Sequence, residues 1–307
     1  MIIKHYNNSF FLTKIRNTKL VCDPWIGALE STGTWSYPNT YNNKNILNTI
    51  NPDIIYISHL HNDHFDKEIL KKFLKKKTKI IIKKFKDQRL KGMIEKIGYK
   101  NIVELNPWEK FNYKEFELTI IPCDQSNSAG IKSEIFYDID TSIIIHDKIN
   151  AITFYNNVDN PISLKSIRKV KKFINSNYKK IDVSSIGPRS ASEYPQCFLN
   201  ANRKKEKKRI ILNGFKRTKE LLEILKPKYF IPAGGSYVTY GKYSSIQQFV
   251  AHPSHNQIEK YFKKIPDLRV LKLDCNSSVN INLNKFSLNQ KKQKKTITQV
   301  LNDFKNI

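Results

Sequence analysis

The sequence has few cysteines, and their spacing builds no recognisable site. Cys22, Cys123, Cys197 and Cys275 stand far apart among 307 residues, with no CxxC, CxH or CxxH pair. That spacing disfavours a disulfide scaffold, a zinc ribbon and a cysteine-ligated iron–sulfur site. Reduced thiols in a cytosolic protein are the simplest interpretation, and we expect a cytoplasmic location.

Long apolar runs are also lacking. The longest, such as Ile54–Ile57, span only a few residues, whereas a membrane-spanning helix needs about 20. The amino terminus has no continuous apolar segment followed by a small-residue cleavage site. We therefore expect no membrane association.

The hydrophobic share of 39% and the charged share of 26% predict a folded chain with one sizeable core, or two small ones.

Acidic residues and arginines are scarce beside lysine. The chain has 27 Asp and Glu against 54 Lys and Arg, a formal net charge of +27, and 46 of those 54 cations are lysines. Proteins that bind phosphates or base edges specifically favour the planar fork of arginine. We therefore attribute the excess to biased composition more than to a nucleic-acid surface. It still predicts attraction to anions, so we rank an anionic small-molecule substrate ahead of nucleic acid as the partner.

Strand-like and helix-like segments alternate along the chain. Apolar runs such as Leu118–Ile121 predict strands, and apolar residues at helical spacing over residues 90–97, ended by Gly98, predict a helix. Strands in two sets with helices between and outside them indicate an α/β protein. We interpret residues 1–284 as one domain and the basic residues 285–307 as a tail or a docked helix.

Two expectations concern the second half of the chain. The basic stretch Asn200–Arg209 is predicted to run over the surface. Thr218 is predicted to cap a helix that carries Leu221, Leu222 and Leu225.

Three of the seven histidines lie within six residues, in the string Ser58-His59-Leu60-His61-Asn62-Asp63-His64, directly after an apolar strand. Imidazole and carboxylate are ligands that zinc and iron accept. Alternation along an extended chain places His59 and His61 on one side, and the chain then turns so that Asp63 and His64 can face a second ion. Solvated loop histidines are the alternative, but this register with an aspartate at a strand end favours a metal site.

This HxHxDH string resembles the metallo-β-lactamase superfamily. A narrower similarity is to the metallo-β-lactamase-like domain of CMP-N-acetylneuraminate hydroxylases and related bacterial surface-sugar proteins. The resemblance implies a four-layer αββα sandwich. The segments that carry it occur in the same order between about residue 5 and about residue 255, and they are Asp23-Pro24-Trp25, Asp53 to His61, Asp140 to Ile144, Asn157-Val158-Asp159, Tyr194 to Phe198 and Ile231 to Gly235.

The resemblance also implies roles for residues. His59 and His61 are expected to bind the first metal, and Asp63 and His64 the second. Asp159 matches the position of an acidic ligand that bridges both ions, although it could equally be an ordinary turn aspartate.

The sequence departs from the wider superfamily in two places. No histidine follows Leu118–Ile121, where a third imidazole is expected, and Asp124 is the nearest substitute ligand. No histidine follows Ile231-Pro232 either. His252 and His255 are either recruited to the metals or are surface-loop residues. The site could therefore hold two ions, hold one, or be open on one side.

These expectations lead to three hypotheses about function. The first is a metal-dependent hydrolase with one or two Zn²⁺ ions, in which a metal-bound hydroxide attacks an anionic small molecule such as a nucleotide-activated or phosphorylated sugar. Asp63 would accept a proton, and Asp23 would orient imidazole N–H groups. The second is a di-iron oxygenase, against which the lack of Rieske cysteine–histidine pairs counts. The third is a non-catalytic binding protein with a degenerate metal site.

Overall fold

The computed structural model describes residues 1–26, 35–36, 45–75, 77–123, 140–188, 192–234, 237–239, 241–282 and 285–291. Two large sheets form its centre. The first sheet has eight strands in the spatial order β17 (Phe286–Asn289), β16 (Ser278–Ile281), β1 (Ile2–Asn7), β2 (Phe10–Ile15), β3 (Thr18–Cys22), β5 (Ile54–Tyr56), β6 (Lys79–Lys83) and β7 (Ile102–Leu105).

The second sheet has seven strands in the order β15 (Arg269–Val270), β13 (Tyr229–Ile231), β12 (Val183–Ser185), β11 (Ile152–Asn156), β10 (Thr141–Asp147), β9 (Phe116–Pro122) and β8 (Lys110–Tyr113). A short pair, β4 (Trp35–Ser36) and β14 (Val238–Thr239), lies apart from both sheets.

Helices cover the outer face of each sheet. The first sheet is covered by α1 (Ile46–Ile50), α2 (Lys67–Phe73) and α3 (Arg89–Ile97), and the second by α4 (Leu164–Tyr178), α5 (Arg203–Leu225) and α6 (His255–Phe262). A 3₁₀ helix spans Gly241–Phe249. No helix in the described ranges is both long and apolar enough to cross a membrane.

Three apolar layers hold these four layers of secondary structure together. Strand β5 illustrates the arrangement, because successive side chains point to opposite faces. Ile54 and Tyr56 belong to the core between the sheets, whereas Ile55 and Ile57 belong to the core beneath α1, α2 and α3. A third cluster packs the second sheet against α4, α5 and α6. The predicted four-layer αββα sandwich is confirmed.

Both sheets contain a block of parallel strands. Strands β3, β5, β6 and β7 are parallel in the first sheet, and β11, β12, β13 and β15 in the second. The carboxyl ends of parallel strands meet at one edge of a sheet, which is where open α/β sheets bind ligands.

The basic stretch Asn200–Arg209 runs over the surface as predicted, since its residues are exposed or partly buried, but the predicted cap at Thr218 was wrong. Helix α5 begins at Arg203, so most of Asn200–Arg209 is helical, and the Asn202 side chain caps it by accepting from the Lys205 backbone N–H. Thr218 lies buried inside α5 and does not cap it. Lysine, arginine and glutamate are good helix formers, so this basic segment forms two solvated helical turns.

The carboxyl-terminal region extends the first sheet. Strand β17 lies within the segment that we assigned to a basic tail, and it pairs antiparallel with β16 in the register Val279↔Leu288. The boundary proposed at residue 284 therefore falls between two paired strands. Residues 292–307 lie outside the described part of the chain.

Candidate metal centre

The predicted ligands lie where the parallel strands of both sheets end. His59, His61 and His64 follow β5, and Asp23 follows β3, the neighbouring strand. Asp159 follows β11 of the second sheet. The two sheets thus bring side chains from distant parts of the sequence to one edge of the sandwich.

A tight turn after β5 arranges the three imidazoles. The backbone N–H groups of His64 and Phe65 donate to the His61 carbonyl at 3.0 and 2.8 Å. Phe65 is buried in the helix-side core, which anchors the turn. The ring centroids of His59 and His64 are consequently 4.1 Å apart.

His59, His61 and Asp140 form the first group of candidate ligands. His59 Nε2 lies 2.8 Å from His61 Nδ1 and 3.5 Å from Asp140 Oδ1. One ligand atom from each of the three residues lies within 4.8 Å of the others. His59 is buried, Asp140 is partly buried and His61 is exposed, so the group opens to solvent on the His61 side.

Hydrogen bonds to Asp23 fix the tautomer of His59. Ser58 Oγ lies 2.7 Å from Asp23 Oδ2 and donates to it, because an ionised carboxylate only accepts. Ser58 Oγ therefore accepts from the Nδ1–H of His59, at 2.9 Å. The Nε2 lone pair is left facing His61 and Asp140. Burial, followed by the His64 and His61 imidazoles, lowers the pKa of His59 well below its usual range. A neutral imidazole with this tautomer is ready to bind a metal.

His64 is the centre of the second group. Its Nε2 lies 3.0 Å from Asp159 Oδ2 and 3.4 Å from Asp63 Oδ2, and its Nδ1 lies 3.0 Å from Asp23 Oδ2. Burial disfavours the charged imidazole, but the carboxylates of Asp63 and Asp159 outweigh it and raise the pKa of His64 well above its usual range. A dication would have to displace this proton, and it would gain two carboxylates by doing so.

Asp63 is fixed by a second contact. Asn8, in the turn between β1 and β2, donates from Nδ2 to Asp63 Oδ2 at 3.0 Å. Burial would raise the pKa of Asp63, but the His64 imidazole outweighs it and lowers that pKa. The carboxylate is thereby kept ionised, as a metal ligand must be.

The backbone around Asp159 is held in a conformation that ordinary residues avoid. Val158 has φ 52°, which is rare for a β-branched residue. Gly234, after β13, has φ +97°, and a Cβ added there would lie 3.4 Å from Asp159 Oδ1. The positive φ is what favours glycine here, because the added Cβ would make only an ordinary contact with the carboxylate.

The donor set suits a divalent transition metal. Three imidazoles and two carboxylates converge in two groups that share His59, namely His59 with His61 and Asp140, and His59 with His64 and Asp159. Asp140 Oδ1 is buried and accepts no hydrogen bond within the described residues, which is costly for a carboxylate oxygen without a cation. Mixed nitrogen and oxygen ligands fit Zn²⁺ and Fe²⁺ alike.

The structure thus brings together five of the six predicted ligands: His59, His61, Asp63, His64 and Asp159. The sixth, Asp124, lies outside the described residues. Asp140 was missed as a ligand, although its segment was among those that carried the resemblance. A further signal exists in the sheet register, because Thr141 pairs with Pro122 and so brings Asp140 close to the end of β9.

The other histidines belong to neither group. His252 packs edge-on against Tyr237, with ring centroids 4.6 Å apart. His255 Nε2 lies 3.7 Å from Asp274 Oδ1. His5 is buried, with its ring nitrogens near the carbonyls of Leu273 and Asn8. Within the described ranges, only the histidines after β5 take part in the groups of candidate ligands.

Comparison with known proteins bears on the fold. The family model described as "Beta-lactamase superfamily domain" matches residues 2–144, which include the whole HxHxDH segment. The isothiocyanate hydrolase from Delia radicum gut bacteria superposes with a TM-score of 0.63 at 12% identity, covering 92% of this chain and 100% of that one. The protein has the metallo-β-lactamase fold. The resemblance stated from the sequence is therefore confirmed.

Two further proteins that are similar to this metallo-β-lactamase-fold protein are named as hydroxylases. The diiron β-hydroxylase CmlA from Streptomyces venezuelae superposes with a TM-score of 0.57 at 17% identity, covering 92% of this chain and 54% of that one. Cytidine monophosphate-N-acetylneuraminic acid hydroxylase from Xenopus laevis is 26% identical over 237 residues, which are 73% of this chain and 36% of the relative. The chain spans between 20% and 38% of the curated relatives it matches.

Proposed function

We propose that this protein is a two-metal hydrolase that acts on an anionic small molecule. The observation that carries the proposal is the pair of ligand groups that share His59, each combining imidazole with carboxylate at the rim of the sandwich. His59, His61 and Asp140 would hold one ion, and His64, Asp63 and Asp159 the other. When bound, such ions lower the pKa of a coordinated water toward about 7 and polarise the substrate oxygen.

The protein's own side chains prepare this site. Asp23 and Ser58 orient His59, and Asp23 also accepts from His64 Nδ1. Asp63, for which we also predicted a proton-accepting role, has a lowered pKa and is therefore better suited to binding a cation. Asp159 is 32% exposed, so substrate can approach from that side.

The anionic character of the substrate is supported by charge. The net charge of +27 favours encounter with anions at any part of the surface. The metal cluster would be the densest local positive charge. A phosphorylated or nucleotide-activated sugar fits these conditions, in keeping with the hydroxylase relative whose name includes cytidine monophosphate.

A di-iron oxygenase is the second candidate, and one observation favours it. A carboxylate, Asp140, stands with His59 and His61 where the superfamily pattern led us to expect a third imidazole. Two imidazoles and one carboxylate are a common ligand set of non-haem iron sites that use oxygen. This chemistry would require a source of reducing equivalents.

One experiment tests both candidates. The protein is freed of metal, reconstituted separately with Zn²⁺ and Fe²⁺, and assayed aerobically and anaerobically. The probes are p-nitrophenyl phosphate, bis-p-nitrophenyl phosphate, p-nitrophenyl acetate and a CMP-sugar. The hydrolase proposal predicts product release by the zinc form without oxygen, and loss of that release in His61→Ala. His255→Ala serves as the control, because His255 lies in neither ligand group.

The outcome decides between the candidates. Oxygen consumption by the iron form in the presence of a chemical reductant, with no hydrolysis by the zinc form, would replace the hydrolase by the oxygenase. Absence of both activities together with absence of bound metal would leave a binding protein with a degenerate site.

A further inference from the structure

A second concave site lies at the opposite end of the first sheet. A cleft of about 610 Å³ is lined at the amino-terminal ends of β3, β5 and β6, by Lys19, Asp53 and Thr78 among others. Asp53 and Ser58 are five residue steps apart along β5 and its extension, which is about 17 Å of extended chain. The cleft is therefore separate from the candidate metal centre, and its size is that of a small-molecule site.

Positive charge dominates this cleft. Four lysines line it, Lys19, Lys75, Lys77 and Lys114, together with a single carboxylate, Asp53. Lys114 already neutralises that carboxylate, because its Nζ lies 2.9 Å from Asp53 Oδ1, and the Lys19 backbone N–H donates to Oδ2 at 3.0 Å.

Two of the lysines remain available to a ligand. Lys75 Nζ donates to the neutral Asn51 side chain at 2.8 Å, and both Lys75 and Lys77 are exposed. In the described part of the chain neither forms an ion pair with a carboxylate. An anion that enters the cleft would meet these two uncompensated charges.

One wall of the cleft is aromatic. The half-buried Tyr113, from β8 of the second sheet, contributes its ring. Two lysines flank that ring, because Lys114 Nζ lies 5.4 Å and Lys79 Nζ 5.9 Å from its centroid. Lysines that can contact phosphate, in a cleft with a partly buried aromatic ring on one wall, suit a ligand that joins phosphates to a planar base.

We propose that this cleft binds a nucleotide at a site separate from the metal centre. Lys75 and Lys77 contact the phosphates, and Tyr113 packs against the base. Because the chain is rich in lysine, general attraction to polyanions is the competing explanation for any nucleotide binding. The test must therefore distinguish a specific site from the effect of overall charge.

The test is calorimetric titration of the metal-loaded full chain in about 150 mM salt, where surface charges more than about 8 Å apart are screened. The probes are ATP and inorganic tripolyphosphate. We compare Lys75→Gln/Lys77→Gln with Lys263→Gln/Lys264→Gln, an exposed pair at the end of α6 that loses the same charge. The proposal predicts saturable binding of ATP to the wild type. The affinity for ATP should fall at least tenfold in the first double variant and less than twofold in the second.

Two further variants complete the experiment. Tyr113→Leu is expected to weaken the binding of ATP several-fold and to leave the binding of tripolyphosphate unchanged. Thermal unfolding shows whether each variant is folded. His59→Ala/His61→Ala is expected to keep ATP binding, and loss of binding in that variant would place the nucleotide at the metal centre and overturn the proposal. Equal losses in the two lysine variants, or no saturation, would overturn it in favour of general charge attraction.

Discussion

Asp23 Oδ2 lies 3.0 Å from His64 Nδ1, and both side chains are completely buried. The same carboxylate accepts from the backbone N–H and the hydroxyl of Ser58, at 2.8 and 2.7 Å, and Ser58 in turn holds His59 Nδ1. Asp23 has φ 43°, an uncommon backbone conformation for a non-glycine residue. One strained, buried aspartate thus orients imidazoles of both ligand groups.

Replacing Asp23 with Asn is the first prediction. The amide keeps the shape but can present an N–H where a carboxylate oxygen accepts, so His59 and His64 lose their fixed tautomers. We expect metal affinity to fall 10- to 100-fold, the usual cost of losing such a partner. Competition with a chromogenic chelator measures it. Asp53→Asn, at the far end of β5, is the control, and equal affinity in wild type and Asp23→Asn would refute the orienting role.

The second prediction concerns which carboxylate completes the first group. Asp140→Asn removes the charged oxygen 3.5 Å from His59 Nε2, so we expect loss of about one metal equivalent per chain. Asp124→Asn is the matched comparison, because the sequence pattern alone pointed to Asp124. Metal content measured after gel filtration distinguishes them. Retention of both equivalents in Asp140→Asn, with loss in Asp124→Asn, would return the ligand to position 124.

The third prediction uses the pH dependence of the metal-free protein. Burial and the nearby Asp159 carboxylate raise the pKa of Asp140 from 3.8 to about 7. The folded chain therefore holds a proton that the unfolded chain releases between about pH 4 and pH 7, so the free energy of unfolding falls as pH rises through this window.

Asp140→Asn removes this penalty. At about 1.4 kcal/mol per pKa unit, we expect the variant to be more stable than the wild type by roughly 1–4 kcal/mol at pH 8, and by less than half as much at pH 5. Urea denaturation in the presence of a chelator measures both values. A variant equal to or less stable than the wild type at pH 8 would show that the carboxylate is not destabilised by its site.

The fourth prediction concerns Gly234. Its φ of +97° is unfavourable for alanine, and the new methyl group would lie 3.4 Å from Asp159 Oδ1. We expect Gly234→Ala to lower the free energy of unfolding by about 1–2 kcal/mol and to weaken metal binding. Gly92→Ala is the matched control, because it lies inside α3 with nothing within 4 Å of an added Cβ, and it should stabilise by about 0.5–1 kcal/mol. Unchanged stability and affinity in Gly234→Ala would contradict this account.

The local part of the site could be predicted from the sequence because it depends on one short segment. His59, His61, Asp63 and His64 follow a buried strand directly, and the period of a strand decides which side chains share a side. Asp159 could be predicted as a ligand only from the resemblance, because the local sequence does not distinguish a metal-binding aspartate from an ordinary turn aspartate. Asp140 requires the register of β9 with β10, which pairs Thr141 with Pro122, residues far apart in the sequence, and has no local signature.

The errors in the fold have a similar origin. Lysine and arginine indicate a surface position, and in α5 they do lie at the surface. The same residues also favour helix, so α5 begins some fifteen residues before Thr218. Strand β17 has only alternating partial burial; it pairs with β16, and its Phe286 and Leu288 pack against the core between the sheets. Such elements depend on neighbours that are distant in sequence.

The central claim is that the residues after β5 hold metal ions. Mass spectrometric metal analysis of untagged protein, beside His59→Ala/His61→Ala, tests it most directly. The account predicts close to two equivalents of zinc or iron per chain in the wild type, and loss of metal in the double variant with the fold retained by circular dichroism. A wild type that binds no metal even after reconstitution, or a double variant that binds as much as the wild type, would contradict it.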